Sequence, residues 1–453
     1  MRSKLTTAIM GVASLLFAPL VADAATDEQM RLLEQRMAEM EDRLQAATTE
    51  LKEEKQQNLE QRSLLEDAGL VEKTNDGSVR SKVSSFLSMV NVSGIAAASY
   101  NYRFLDSGDN DNGNPVFTPG GPQHSASALN SSFFTHKNAD SFQLDQMWIT
   151  LDKAPTEESR AGFHADYVWG ETAEQQALSV GSRDAGRDSG LLYTGYVSYL
   201  APIGKGVRFD AGKLATTLGV EVLQTNMNLT VTEGVVFQKL QPFTYTGLAA
   251  TTQLTDNLAL VLAVVNEVYR DTNFSVDRDK AGMAQLRFTG DKWAFNVGGI
   301  VGEDPSAPTC NANPTDTGDD CNTSVFDVNA TINPTDNITL WANFDWVRYM
   351  GSNVSDGDKF GFATAGRIGI TDDTGIAARF EYLTQDEGVN LGVTKDQEYI
   401  TLTGVLDHAL TEGLKIRGEI RYDRELKTGG SVFLTGKNGP ESVAAIAQMY
   451  YQF

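Results

Sequence analysis

The chain has 453 residues, of which 41% are hydrophobic and 21% charged, and its formal net charge is -23. That balance excludes a bundle of transmembrane helices, which needs repeated apolar runs of about 20 residues. The acidic surplus speaks against nucleic acid as a partner, because phosphate binding draws on Lys and Arg. Two cysteines and four histidines are too few for a Cys- or His-rich metal centre, so neither a metal nor a cofactor is expected.

Residues 1–24 read as an export signal. Arg2 and Lys4 supply a basic start, Ala8 to Leu20 a short apolar core, and Ala22-Asp23-Ala24 a small-x-small cleavage pattern. From Thr26 to Ala68 there is neither Gly nor Pro. With Met30 as heptad position a, the a series runs Met30, Met37, Leu44, Leu51, Asn58 and Leu65, and the d series begins Leu33, Met40 and Ala47. This spacing predicts an α-helical coiled coil over residues 25–72, placed in the periplasm, with Asn58 at a seam position that fixes register. A single solvated spacer helix is the alternative. A linker at 73–89 follows.

From Val90 the hydrophobic period changes to two. The clearest segment is Leu414 to Asp423, where Leu414, Ile416, Gly418, Ile420 and Tyr422 alternate with Lys415, Arg417, Glu419, Arg421 and Asp423. Alternation alone fits a soluble sandwich as well. Three features favour an all-β transmembrane barrel over residues 90–453. The apolar stripes end in aromatic pairs such as Tyr100 and Tyr102, Tyr167 and Trp169, Phe344 and Trp346, and Phe380 and Tyr382, which suits a membrane interface. Connections alternate between tight turns and long polar loops (roughly 105–140, 171–190, 215–243, 267–281, 304–322, 351–358, 386–396 and 426–440), the pattern of short periplasmic turns and long external loops. The sequence closes on an alternating strand that carries Tyr451 and Phe453, which suits an assembly signal read by the barrel-assembly machinery.

Candidate strands begin near 90, 141, 160, 191, 206, 243, 258, 282, 292, 323, 338, 359, 375, 397, 414 and 441. About sixteen antiparallel strands return both ends to the same side and leave an aqueous interior. Leu258 to Val265 is apolar on both faces, which predicts an inserted segment packed against it from inside.

Val92-Ser93-Gly94 through Tyr102, Asn138-Ala139-Asp140-Ser141-Phe142-Gln143-Leu144-Asp145-Gln146, and Tyr196-Val197-Ser198-Tyr199-Leu200 through Ala211-Gly212-Lys213, Leu218-Gly219-Val220-Glu221 and Pro242-Phe243-Thr244-Tyr245-Thr246-Gly247 resemble the β-barrel porin family described as OmpL-like. The resemblance covers the first half of the barrel and implies a porin-like protein of the bacterial outer membrane. One departure stands before the Pro-Phe-Thr element. Where relatives lead one to expect a Ser-Arg-Ser-like stretch, this chain has Thr230-Val231-Thr232-Glu233-Gly234.

No catalytic constellation is found: His164 neighbours Asp166 without a nucleophile motif, so no enzyme activity is expected. The loop Asp106 to Asn114 is rich in oxygen ligands but lacks EF-hand spacing. The pore-lining candidates are Lys415, Arg417, Glu419, Arg421, Arg379, Glu381, His164 and Asp166. Cys310 and Cys321 share one external loop, and an oxidising compartment predicts a disulfide between them. The expected function is a porin for passive diffusion of small hydrophilic solutes or ions. The alternatives are a structural anchor or tether using the coiled coil, and a sheath around a partner protein. Outer-membrane lipid and further copies of the chain, a trimer by analogy with wide porins, are the expected partners. Acidic loops such as Asp106 to Asp111 and Asp316 to Asp320 predict a mild cation preference.

Overall fold

The structure is a computed structural model. It describes residues 89–106, 136, 141–179, 190–269, 280–303, 322–350, 356–386, 396–427 and 441–453, with scattered helical residues between 35 and 56 and a short antiparallel hairpin of Val71–Lys73 and Val79–Ser81. The expected signal over 1–24 and the pair Cys310 and Cys321 lie outside the described residues. Contacts divide the chain into Met1–Met89 and Val90–Phe453. In the first unit, the described residues between 35 and 56 are helical and exposed. Arg43 Nη2 donates to Glu39 Oε1 at 2.8 Å, one turn back. Met40, at a seam position of the heptad, is exposed.

The second unit is one closed barrel of sixteen antiparallel strands. They are β1 (Asn91–Asp106), β2 (Ser141–Lys153), β3 (Ala161–Trp169), β4 (Leu191–Ala201), β5 (Val207–Ala215), β6 (Thr244–Thr255), β7 (Leu258–Val265) and β8 (Ala281–Gly290). There follow β9 (Trp293–Glu303), β10 (Asn322–Thr335), β11 (Ile338–Met350), β12 (Gly357–Gly369), β13 (Thr374–Gln385), β14 (Gln397–Thr411), β15 (Leu414–Lys427) and β16 (Glu441–Gln452). Each pairs with its chain neighbours, and β16 returns to β1. Every expected strand start lies within two residues of an observed one. At the seam, Gly94 N–H donates to Phe453 O (3.1 Å) and Phe453 N–H to Gly94 O (3.0 Å).

Alternation sets the two faces. Outward residues such as Val197, Val264, Leu406 and Ile420 are more than half exposed. A continuous apolar wall of that kind around a closed barrel suits a surface that faces lipid rather than water. Tyr451 and Phe453 are exposed as well, and Tyr451 follows the outward parity of Met449 and Ala447. Many inward positions are small or polar, as in the run Arg417, Glu419, Arg421, Asp423 and Glu425 of β15, all buried.

Tight turns gather at one end, among them 256–257, 291–292, 336–337 and 412–413, and the longer connections at the other. Two of the connections anticipated as external loops turn into the barrel instead. The first helix, α1 (Glu171–Ser179), buries Thr172 and Ala173 against inward residues of β2 and β3. Residues 216–243, between β5 and β6, fold across the interior and include α2 (Val235–Leu240). Their composition explains the inward course. Leu218, Leu223, Val231, Val235, Val236, Phe237 and Leu240 are each at most 2% exposed, and in an external loop all of that apolar surface would face water. Leu218, Val235 and Leu240 pack on Val261, Ala263 and Val265 of β7. This is the cover that the two-sided apolar run of β7 predicted.

Candidate functional site: a strap across the barrel interior

The segment 216–243 is a strap rooted where the β5–β6 ladder ends, with Thr216 N–H donating to Phe243 O at 2.8 Å. It reaches every sector of the wall. Leu223, Phe237 and Phe243 pack with Ile95, Trp148 and Val168 of β1 to β3, and Val236 packs with Trp341, Ala363 and Ala365 of β11 and β12. At its root Gly219 takes φ +84°, and a Cβ there would overlap the Gln241 side-chain amide. Only glycine meets both demands.

The wall from β11 to β16 holds the strap by charge. Arg379 Nη1 donates to Glu221 Oε1 (2.5 Å), Thr230 Oγ1 (2.7 Å) and Thr232 O (2.7 Å), while its Nε faces Glu381 Oε2 at 3.2 Å. Glu381 in turn accepts from Thr401 Oγ1 (2.6 Å) and from the Val236 N–H of α2 (3.1 Å). The carboxylate thereby satisfies one of the amides that a short helix leaves open at its start. Glu419 accepts the Val231 N–H (2.6 Å) and the Thr232 hydroxyl (2.5 Å). Arg421 donates to Thr232 Oγ1 (3.0 Å), Glu233 O (2.9 Å) and Asp423 Oδ1 (2.9 Å). Arg417 donates to the carbonyls of Thr225, Asn228 and Thr230, each at 3.1 Å, and sits over the Tyr450 ring. On β11, Asn343 Oδ1 accepts from Val220 N–H (3.1 Å) and Gln241 Nε2 (3.0 Å).

Arg379, Glu381, Glu419 and Arg421 are at most 2% exposed, and Arg417 is 5% exposed. These five pore-lining candidates face the interior as alternation requires, yet the strap covers them, so they hold it rather than meeting a water-filled lumen. Burial raises the Glu221 carboxyl, with Arg379 drawing it down and Glu381 adding to the rise.

The remaining candidates lie nearer the tight-turn end. His164 sits between Asp152 Oδ1 (Nδ1, 2.9 Å) and Asp166 Oδ2 (Nε2, 2.9 Å), its ring stacked on Tyr196. Asp166 also accepts from Trp148 Nε1 (3.0 Å), Thr150 Oγ1 (2.6 Å) and Thr194 Oγ1 (2.7 Å). This is a cross-strand knot on β2 to β4. Lys415 follows the inward parity of Arg417 and is partly exposed.

The sequence from residue 89 to residue 453 matches the family described as "Putative beta-barrel porin-2, OmpL-like". The chain belongs to this porin family. Among solved structures, the barrel is similar to Vibrio cholerae OmpT lacking loop L8 (10% identity, TM-score 0.53) and to the trimer form of OmpT from the same organism (11%, 0.52). It is also similar to an anion-selective porin from Comamonas acidovorans (9%, 0.52). In each case 80% of this chain and 99% of the other are covered. At such identities the likeness establishes the fold. No curated protein matches the chain.

The strap residues Glu221, Thr230, Thr232, Gly234 and Gln241, and Asn343 on the wall, are absent from the sequence-derived set. One signal was available. The stretches Leu218-Gly219-Val220-Glu221-Val222-Leu223 and Val235-Val236-Phe237 are far more apolar than a loop such as Asp106 to Asn114.

Proposed function

We propose that this outer-membrane barrel is a channel for passive diffusion of small hydrophilic solutes or ions, narrowed by the strap. The observation that carries the reading is the combination of a closed sixteen-strand wall with partly exposed polar groups on its inner face near the tight turns, among them His164, Arg208, Arg287 and Lys415. A wall of this size encloses an aqueous space wherever side chains do not fill it. Full-length protein reconstituted in a planar bilayer gives discrete conductance steps. A silent bilayer, with the barrel shown folded by heat-modifiable gel mobility, overturns the reading. It would favour instead a barrel that anchors the N-terminal helix, a role in keeping with the strap's burial of the mid-wall.

Self-association through the coiled coil is part of the same proposal, with a trimer as the expected state. Support comes from the a and d series from Met30 to Leu51. Deletion of residues 27–70 lowers the particle mass measured in detergent to that of one barrel. An unchanged mass assigns the helix to spacing alone.

A further inference from the structure

Near the tight turns the inner wall offers charged side chains to water, and its carboxylates already have donors. Asp152 and Asp166 flank His164. Asp210 accepts from Arg208 Nε at 2.8 Å and from Ser198 Oγ. Asp407 takes both arms of Arg367, at 2.8 and 2.7 Å. Two cations on that wall are in a different position. Arg287 on β8 uses Nε to reach Gln285 Oε1 at 2.7 Å, and among the described residues it makes no ion pair and its Nη groups have no hydrogen-bond partner. Lys415 on β15 makes neither a hydrogen bond nor an ion pair among the described residues. Both are partly exposed. Arg287 shares its parity with the buried Met283 and Gln285, and Lys415 with Arg417 and Glu419. β8 and β15 stand seven strands apart in a ring of sixteen, so the two cations occupy nearly opposite walls.

We propose that Arg287 is a recognition point for oxyanions inside the barrel, and that with Lys415 it gives the channel a preference for small solutes bearing a carboxylate or phosphate group. The proposal rests on the channel reading and names its solute class. A guanidinium with open Nη donors matches a planar oxyanion through two parallel hydrogen bonds. The neighbours of Arg287 in the ladder and along the strand, Asn296 and Gln285, are neutral amides, so among the described residues no carboxylate pairs with it. Near the tight turns, the described carboxylates Asp152, Asp166, Asp210 and Asp407 each already hold a donor or a cation.

The net charge of -23 points the other way, and location decides between the two. Part of the acid, such as Glu157, Asp291 and Asp372, stands on turns in open water, where salt screens it beyond about 8–10 Å. Selectivity is set by the groups a solute passes at close quarters. The cation preference anticipated from composition is thereby reversed.

The experiment is the zero-current potential of the full-length protein in a tenfold KCl gradient. The wild type favours chloride, Arg287→Gln and Lys415→Gln each weaken that preference, and the double variant loses it. A wild type that favours potassium, or a chloride preference that survives in the double variant, overturns the proposal. A second measurement stands apart from conduction. In detergent, inorganic phosphate raises the melting temperature of the wild type above that in KCl of equal ionic strength, and Arg287→Gln abolishes the shift. A silent bilayer with this shift present counts against the channel reading and leaves the anion site standing. Absence of the shift in the wild type overturns the site itself.

Discussion

Replacing Arg379 with Met raises the single-channel conductance and lowers the melting temperature of the barrel. The guanidinium is the cation shared by Glu221 of the strap and Glu381 of β13, and it also donates to Thr230 and Thr232. Methionine fills similar space but strands two carboxylates in a sealed site. Removing one partner of a buried ion pair costs about 3–5 kcal/mol. The cheapest relief is for the strap to leave β13 and take Glu221 to water, because the barrel itself is held by an unbroken ladder. Adding Glu221→Gln to Arg379→Met removes one of the stranded charges and restores part of both properties. Planar-bilayer recordings and thermal melts of the two variants measure this. If the two substitutions act additively, the coupling claimed for the pair is absent.

The second large effect is expected at Gly234, where local preference and the tertiary environment disagree in sign. Gly234 caps α2 with φ -71° and ψ 157° and provides no side-chain cap. By helix rules alone, Ser at such a position stabilises by only a few tenths of a kcal/mol relative to Gly. The surroundings forbid it. A Cβ on Gly234 would press on Glu381 Oε1 and lie 2.6 Å from Glu221 Oε2, while the Gly234 N–H itself donates to Glu221 Oε2 at 2.8 Å. Both carboxylates are fixed by Arg379 and cannot swing away without leaving a charge unpaired. Gly234→Ser therefore destabilises, by about 1–3 kcal/mol as for overpacking in a core, and widens the pore. Thermal melts and conductance read both effects, and a stabilised Gly234→Ser barrel would show that the capping preference wins.

The barrel was legible from the sequence because its signals are local. A period of two, aromatic stripe ends and the alternation of tight turns with long loops each need only neighbouring residues, and they placed all sixteen strand starts. The inward parity of Arg379, Glu381, Arg417, Glu419 and Arg421 followed from the same alternation. What those side chains touch did not. Their partners, Glu221, the Thr225–Thr232 segment and Val236, lie between 145 and 192 residues away in the chain, and no periodicity links them. Residues 215–243 resemble the external loops in length and flanking turns. Only the apolar content of that stretch, read together with the two-sided apolar run of β7, distinguishes a segment that turns inward. Parity alone does not separate the Lys and Arg of β15, since the strap covers Arg417 and Arg421 while Lys415 stays partly exposed.

The distance in sequence between strap and wall also dictates an order of events during assembly. The strap lies between β5 and β6, whereas Arg379, Glu419, Arg421 and Arg417 are supplied by β13 and β15. Contacts of such long range form late, because the intervening chain must first lose its freedom. Until the second half of the cylinder is in place, Glu221 has no counter-charge and the apolar strap has only half a wall to rest on. A closing barrel is therefore wide before it is narrow, and the last step of its maturation is the seating of the strap.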